Sequence, residues 1–179
     1  MDVLFTINED GLLESAEFDD TAGLELDDDF EDKADYLHKT TVVVPDGVTA
    51  IGDGAFYDRR WLTEVLLPNG VLSIGNEAFT DCNYLEKATL PDSLTAIGTK
   101  AFGWCESLVE ISIPSTVTRL EEMAFYACSS LASVTILNET LDIAKDVFSV
   151  CNKDLTVYAK TGSTAEQYAV ENSLNFVPL

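Results

Sequence analysis

Phenylalanine occurs at positions 56, 79, 102, 125 and 148, and each step is 23 residues. Proline keeps the same step at 45, 68, 91 and 114, with Leu137 in the fifth place. Cys82, Cys105, Cys128 and Cys151 form another column, which Arg59 begins. Ile51, Ile74, Ile97, Leu120 and Ile143 form a fourth, and Ala55, Ala78, Ala101, Ala124 and Val147 a fifth. Leu62, Leu85, Leu108 and Leu131 make a sixth, whose last member shifts by one to Leu155. One period held by several apolar columns is the signature of a stacked repeat. So short a unit cannot bury its own apolar side chains, so neighbouring coils must bury them collectively.

Each copy has the same internal grammar. A segment Leu-x-x-apolar-x-apolar, as in Leu108, Ile111 and Ile113, alternates like a short strand with one buried face. Proline then ends the strand, because it has no N–H to continue a ladder. A second apolar pair follows, Val117 and Leu120, and then Ala124 and Phe125 in a segment compatible with one helical or 3₁₀ turn. Parallel strands in register lie about 4.8 Å apart, so five coils predict a core on the order of 25 Å long. Gly52, Gly75 and Gly98 share a column with Glu121 and Ala144. Close packing therefore accounts for these glycines better than a required positive φ does.

Copies such as LEKATLPDSLTAIGTKAFGWC (85–105) and LVEISIPSTVTRLEEMAFYAC (108–128) resemble the BspA-like leucine-rich repeats. That family's motif runs roughly L-x-x-I-x-I-P-x-x-V-x-x-I-G-x-x-A-F-x-x-C. The resemblance covers about residues 42–158. It implies an α/β repeat solenoid, a right-handed leucine-rich-repeat superhelix of five coils with a parallel sheet on one face. Family members are typically surface or secreted proteins of bacteria and some protists, associated with adhesion and with binding host or neighbouring-cell proteins. The resemblance thus implies non-catalytic protein recognition and a surface or secreted location. Two departures stand out. Glu121 and Ala144 replace glycine and Leu137 replaces proline. The start MDVLFTINEDG, with Asp2 and only a few apolar residues, reads as carrying no signal peptide, which leaves a cytoplasmic location open.

Solenoids need caps over their end coils. Residues 1–41 are expected to form the first, 42–158 the solenoid and 159–179 the second. Ser163 followed by Glu166 has capping-box spacing, and Ala165, Tyr168 and Ala169 share a helical face, predicting a helix over 163–172. Asn175, Phe176 and Val177 are expected to return as a last strand. At the other end, Leu4, Phe5 and Ile7 lead through Asn8–Gly11 to Leu12 and Leu13, the pattern of a hairpin. Residues 24–39 read either as a short helix with dipole-compatible charges or as an ordered acidic loop.

Charge narrows the function classes. The chain holds 32 Asp+Glu against 10 Lys+Arg, a formal net charge of −22. That balance opposes a nucleic-acid binder, which must neutralise phosphates, and an anionic membrane surface. No apolar run approaches the roughly 20 residues of a membrane span. A monomer is expected, with a protein partner whose basic patch the acidic field would steer. The charge is uneven: residues 1–40 carry 14 acids and 2 bases, and the remainder 18 and 8.

Each candidate site has a simpler reading beside it. The Cys column reads as a buried ladder of reduced thiols, since parallel side chains do not offer the crossed geometry of a disulfide. Thr6, Asn8, Asp10, Gly11, Glu14 and Glu17 partly trace a calcium loop, but the first ligand is Thr and the flanks are strand-like, so a hairpin turn explains them better. The run Asp27-Asp28-Asp29 with Glu31 and Asp32 reads as a solvated face. The single His38 has no Ser or Cys motif, and no phosphate loop or zinc motif occurs, so no enzyme, cofactor or metal is expected. In the strand segments, residues between the apolar ones face outward. One outward column is Val43, Leu66, Thr89, Ser112 and Thr135, and the next is Thr41, Glu64, Lys87, Glu110 and Ser133. Trp61 and Tyr84 occupy equivalent places beside them. They read either as an exposed recognition patch or as packing for the N-terminal cap near Phe30 or Tyr36. Trp104 stands alone and fits either role. The expected function is protein recognition through this surface. A structural module of a larger surface protein and a carbohydrate binder using the aromatic pair are the alternatives.

Overall fold

The 23-residue columns become layers of stacked coils. The structure, a computed structural model, describes residues 3–18 and 40–179. The acidic segment expected over 24–39, with Phe30, Tyr36 and His38, therefore lies outside the described residues. Strands β1 (Val3–Ile7) and β2 (Leu12–Phe18) form an antiparallel hairpin. The Asn8 carboxamide oxygen accepts from the N–H groups of Asp10 and Leu12 at 3.0 Å each, closing the Gly11 turn in the way Asx residues do. The predicted hairpin thus forms, and Asn8 is spent on its turn.

Each of the first five coils then contributes a longer strand and a two-residue strand, and the sixth a longer strand alone. The longer ones are β3 (Thr40–Val43), β5 (Leu62–Leu66), β7 (Lys87–Thr89), β9 (Glu110–Ile113), β11 (Ser133–Ile136) and β13 (Thr156–Ala159). The short ones are β4 (Ala50–Ile51), β6 (Ser73–Ile74), β8 (Ala96–Ile97), β10 (Arg119–Leu120) and β12 (Asp142–Ile143). Helix α1 (Thr164–Glu171) and strand β14 (Asn175–Pro178) complete the chain. The structure is a β-solenoid of about six turns. The sixth, built on β13 and α1, goes beyond the five coils expected. It escaped the count because Leu155 and Val157 keep the strand pattern while α1 replaces the Ala-Phe-Cys turn.

The short strands β4 to β12 pair in parallel, and β2 extends them, with Leu13 opposite Ile51. The hairpin therefore serves as the layer before the first coil. The long strands form two parallel sheets rather than one, β3-β5-β7 and β9-β11-β13-β14. The division falls beside Ala88, which stands where the other coils carry Val42, Val65, Ile111, Val134 and Val157. Proline does more than stop the strand. The carbonyls of Pro45, Pro68, Pro91 and Pro114 accept from the N–H three residues on, at 3.0–3.4 Å, so each opens a turn. Where Leu137 replaces proline, its N–H donates to Ile113 O at 3.2 Å.

Phenylalanine forms the central stack. The rings of Phe56, Phe79, Phe102, Phe125 and Phe148 lie 4.8, 5.0, 5.2 and 5.5 Å apart in succession, tilted by no more than 16°. Tyr168 of α1 closes the stack edge-on, 6.0 Å from Phe148 at 76°, a favourable aromatic geometry. Ser163 caps α1 by accepting from Glu166 N–H at 3.2 Å, and Asn172 ends the helix. Both caps match the predicted bounds.

The Cys column is a ladder of unbridged thiols. Cys82, Cys105, Cys128 and Cys151 donate to the carbonyls of Phe56, Phe79, Phe102 and Phe125 at 3.0–3.2 Å. Arg59, at the head of the column, does the same job toward the preceding layer, donating to Ala16 O at 2.7 Å. Burial pushes the Cys82 thiol up to about 12 and holds Cys105 and Cys128 well above the ordinary thiol value. Cys151 is only partly buried, and the Cys128 thiol hydrogen-bonded to it lowers its pKa.

The glycine column behaves as expected. Gly52, Gly75 and Gly98 have no positive φ, but a Cβ on Gly75 would meet Gly52 C at 2.8 Å and one on Gly98 would meet Gly75 C at 2.8 Å. Left-handed backbone recurs elsewhere, notably in two columns that the sequence leaves unmarked. One is Gly54, Glu77, Lys100, Met123 and Asp146, and the other Asp58, Asp81, Trp104, Ala127 and Val150.

Two predictions follow from this packing. Val150 has φ 61° and is 66% exposed, so Val150→Asn removes strain with little lost packing. It should stabilise the fold by about 1 kcal/mol and raise the melting temperature by about 2–4 °C, read by calorimetry. The thiols supply the second. The unfolded Cys82 thiol ionises near its ordinary 9.0 and the folded one near 12. Its contribution is therefore complete below pH 9 and is lost as pH rises toward 12. Urea midpoints at pH 8 and pH 10.5 should fall more steeply for the native chain than for Cys82→Ala.

Candidate functional site

The long strands set the geometry of the predicted surface. Val42, Val65, Ala88, Ile111, Val134 and Val157 point inward and are buried, so alternation turns their neighbours outward. Parallel pairing then places Thr41, Glu64 and Lys87 side by side, and Glu110, Ser133, Thr156 and Asn175 beside one another in the second sheet. The other column runs Val43, Leu66 and Thr89, then Ser112, Thr135, Tyr158 and Val177. The outward columns thus form as expected, and Thr156 and Tyr158 extend them. Sequence reading missed these two because it counted five coils and ended each column at the fifth, although both keep the 23-residue step.

The polar residues of this surface are knitted across coils. Lys87 Nζ lies 3.1 Å from Glu64 Oε1, and the Thr41 hydroxyl donates to Glu64 Oε2 at 3.2 Å. Where β7 and β9 part, a shallow groove of about 340 Å³ opens. Lys87, Thr89, Glu110, Ser112, Ser133 and Thr135 line it, over a floor that includes Ala88 and Ile111. The structure so gathers six of the ten predicted surface residues at one depression. Glu64 and Leu66 lie one coil away on the same face. Trp61 is half-buried against the core, while Tyr84 is 45% exposed. The pair is thereby divided in environment, with Tyr84 the exposed member.

A third side of the solenoid carries aromatic residues that the sequence reading left unassigned. Trp104 is not alone. Its ring meets Tyr126 edge-on at 5.0 Å and 65°, and Lys100 Nζ lies 6.0 Å from its centroid.

Comparison with known proteins agrees with this architecture. The model of the BspA type leucine-rich-repeat region matches residues 35–176 in six copies. The chain belongs to the BspA-type leucine-rich-repeat family. Among solved structures, this BspA-type chain is similar to a Treponema pallidum (T. pallidum) leucine-rich-repeat protein, with 26% identity, a TM-score of 0.69, and coverage of 87% of this chain and 68% of the other. It is similar to a leucine-rich cell surface protein from Faecalibacterium prausnitzii, with 28% identity and a TM-score of 0.64. That match covers 73% of this chain and 34% of the other, so the chain spans about a third of that protein's length. A leucine-rich-repeat protein from Bacteroides capillosus gives 26% identity and a TM-score of 0.55, covering 75% of this chain and 93% of its own. No curated protein sequence matches significantly. These likenesses support a repeat module for protein interaction. Among the described residues, no helix is long and apolar enough to cross a membrane.

The surface and the core should respond differently to mutation. The Lys87–Glu64 pair is largely exposed on the lysine side, so Lys87→Met should change stability by less than about 1 kcal/mol. Phe102→Ala should cost about 3–5 kcal/mol. Urea unfolding of the two variants checks the contrast.

Proposed function

We propose that this BspA-type chain is a non-catalytic protein-recognition module that binds its partner across the long-strand face. The observation that carries this reading is the groove between β7 and β9, where outward residues of three coils converge on one depression. Such a face is backed by fully buried layers. A rigid surface of this kind loses little freedom on binding, which favours affinity at a given buried area. The net charge of −22 favours partners with basic surfaces and accelerates their encounter at low salt. Adhesion at a cell surface is the setting we favour, because one similar solved protein is described as a leucine-rich cell surface protein.

The test is affinity capture with the intact chain, set against a Ser112→Arg/Thr135→Arg variant. Both positions are outward and line the groove, so the fold should survive. A partner held by the native chain and weakened at least about tenfold by the variant supports the reading. Identical capture by a variant with an unchanged melting temperature would refute it.

A further inference from the structure

The side of the solenoid between the two sets of strands carries a notch. One outward column there reads Tyr57, Thr80, Gly103 and Tyr126 in successive coils. Two large residues flank two small ones, and Thr80 is 3% exposed while Gly103 is buried. Coils stack about 4.8 Å apart, so the tyrosine positions stand roughly 14 Å apart. Trp104 fills one wall of the gap, edge-on to Tyr126. The resulting cleft of about 310 Å³ is lined by Tyr57, Glu77, Thr80, Asp81, Lys100 and Trp104.

Its electrostatics favour a cation. Glu77 is paired with Lys100 at 3.9 Å, and Asp58, beside Tyr57, is paired with Arg60 at 2.8 Å. Asp81 has no cationic partner among the described residues, and the Tyr57 hydroxyl is hydrogen-bonded to its carboxylate. The Asp81 charge raises the Tyr57 pKa across the rim. Lys100 already places an ammonium 6.0 Å from the Trp104 ring centroid, within cation–π range. The chain's own lysine thus shows which ligand chemistry the indole accepts.

The backbone adds a separate observation. Trp104 has φ 55°, a conformation that bulky residues rarely adopt. The same column elsewhere holds Asp, Ala and Val, so the position does not require a large ring for packing.

We propose that the cleft between Tyr57 and Trp104 binds an arginine side chain of a protein partner, with the guanidinium on the indole and Asp81 as its counter-ion. Arginine suits the site better than lysine because its planar head both stacks on a ring and pairs with a carboxylate. This extends the protein-recognition reading to a second face. A small probe reads the cleft alone, so failure of the strand face would not register in its test.

The probe is N-acetyl-arginine methylamide, titrated into the intact ¹⁵N-labelled chain, with the isosteric neutral citrulline derivative as control. The amide signals of Thr80, Asp81 and Lys100 should shift and saturate with arginine and stay still with citrulline. Asp81→Asn should weaken binding about two- to fivefold. Asparagine suits the left-handed backbone at position 81, where φ is 61°, so this variant should fold. Lys100→Gln removes the competing ammonium and should tighten binding severalfold. Trp104→Asn should abolish binding while keeping or raising the melting temperature, which a merely structural indole would not do. Equal responses to arginine and citrulline, no effect of Asp81→Asn, or a lowered melting temperature in Trp104→Asn would overturn the proposal. Saturation by methyl β-glucoside with no response to arginine would overturn it too and make the cleft a sugar site.

Discussion

Nothing in one coil of this protein is complete without the next. The Phe N–H of one layer donates to the carbonyl of the residue before Phe in the following layer, as Phe56 does to Ala78 and Phe79 to Ala101 at 2.7 Å. The cysteine thiol of that following layer reaches back to the Phe carbonyl. The rings between them stack at the coil spacing. Each layer therefore carries unsatisfied groups and a bare aromatic face until it has a neighbour on both sides. Leaving such groups buried and unpaired is costly, and that cost holds every layer to the same outline.

The ends of the stack show how the constraint is discharged. The hairpin meets the first layer through the Arg59 guanidinium and the β2–β4 pairing. Helix α1 meets the last layer with Tyr168 turned edge-on to Phe148. An edge-on ring covers the face of a stack without presenting another face for continuation. Capping and solubility are thus served by one side chain.

The candidate binding surfaces lie on the outside of these layers. The strand face offers a broad surface with a depression where β7 and β9 part. The turn side offers a smaller cleft with aromatic walls and the Asp81 carboxylate. Both depend on departures from the repeat. Ala88 is smaller than its column requires, Thr80 and Gly103 are small between Tyr57 and Tyr126, and Trp104 occupies a place that suits a small polar residue. A perfect repeat would have left both sides featureless.

The sequence by itself determined the period, the buried columns, the outward strand columns, the hairpin and both caps of α1. Those follow from which residues recur every 23 positions, and recurrence alone decides which side chains stack. It did not show the sixth turn, because α1 there replaces the recurring residues. Only the tertiary structure decided where the long-strand sheet divides, that Cys151 is the most accessible thiol of the ladder, and that Trp104 packs edge-on against Tyr126 with Lys100 near its ring at a cleft. Those are relations between different columns. They depend on how the backbone turns between them, and two left-handed residues in each of the first five coils set that turn, mostly without the glycines that would have announced it.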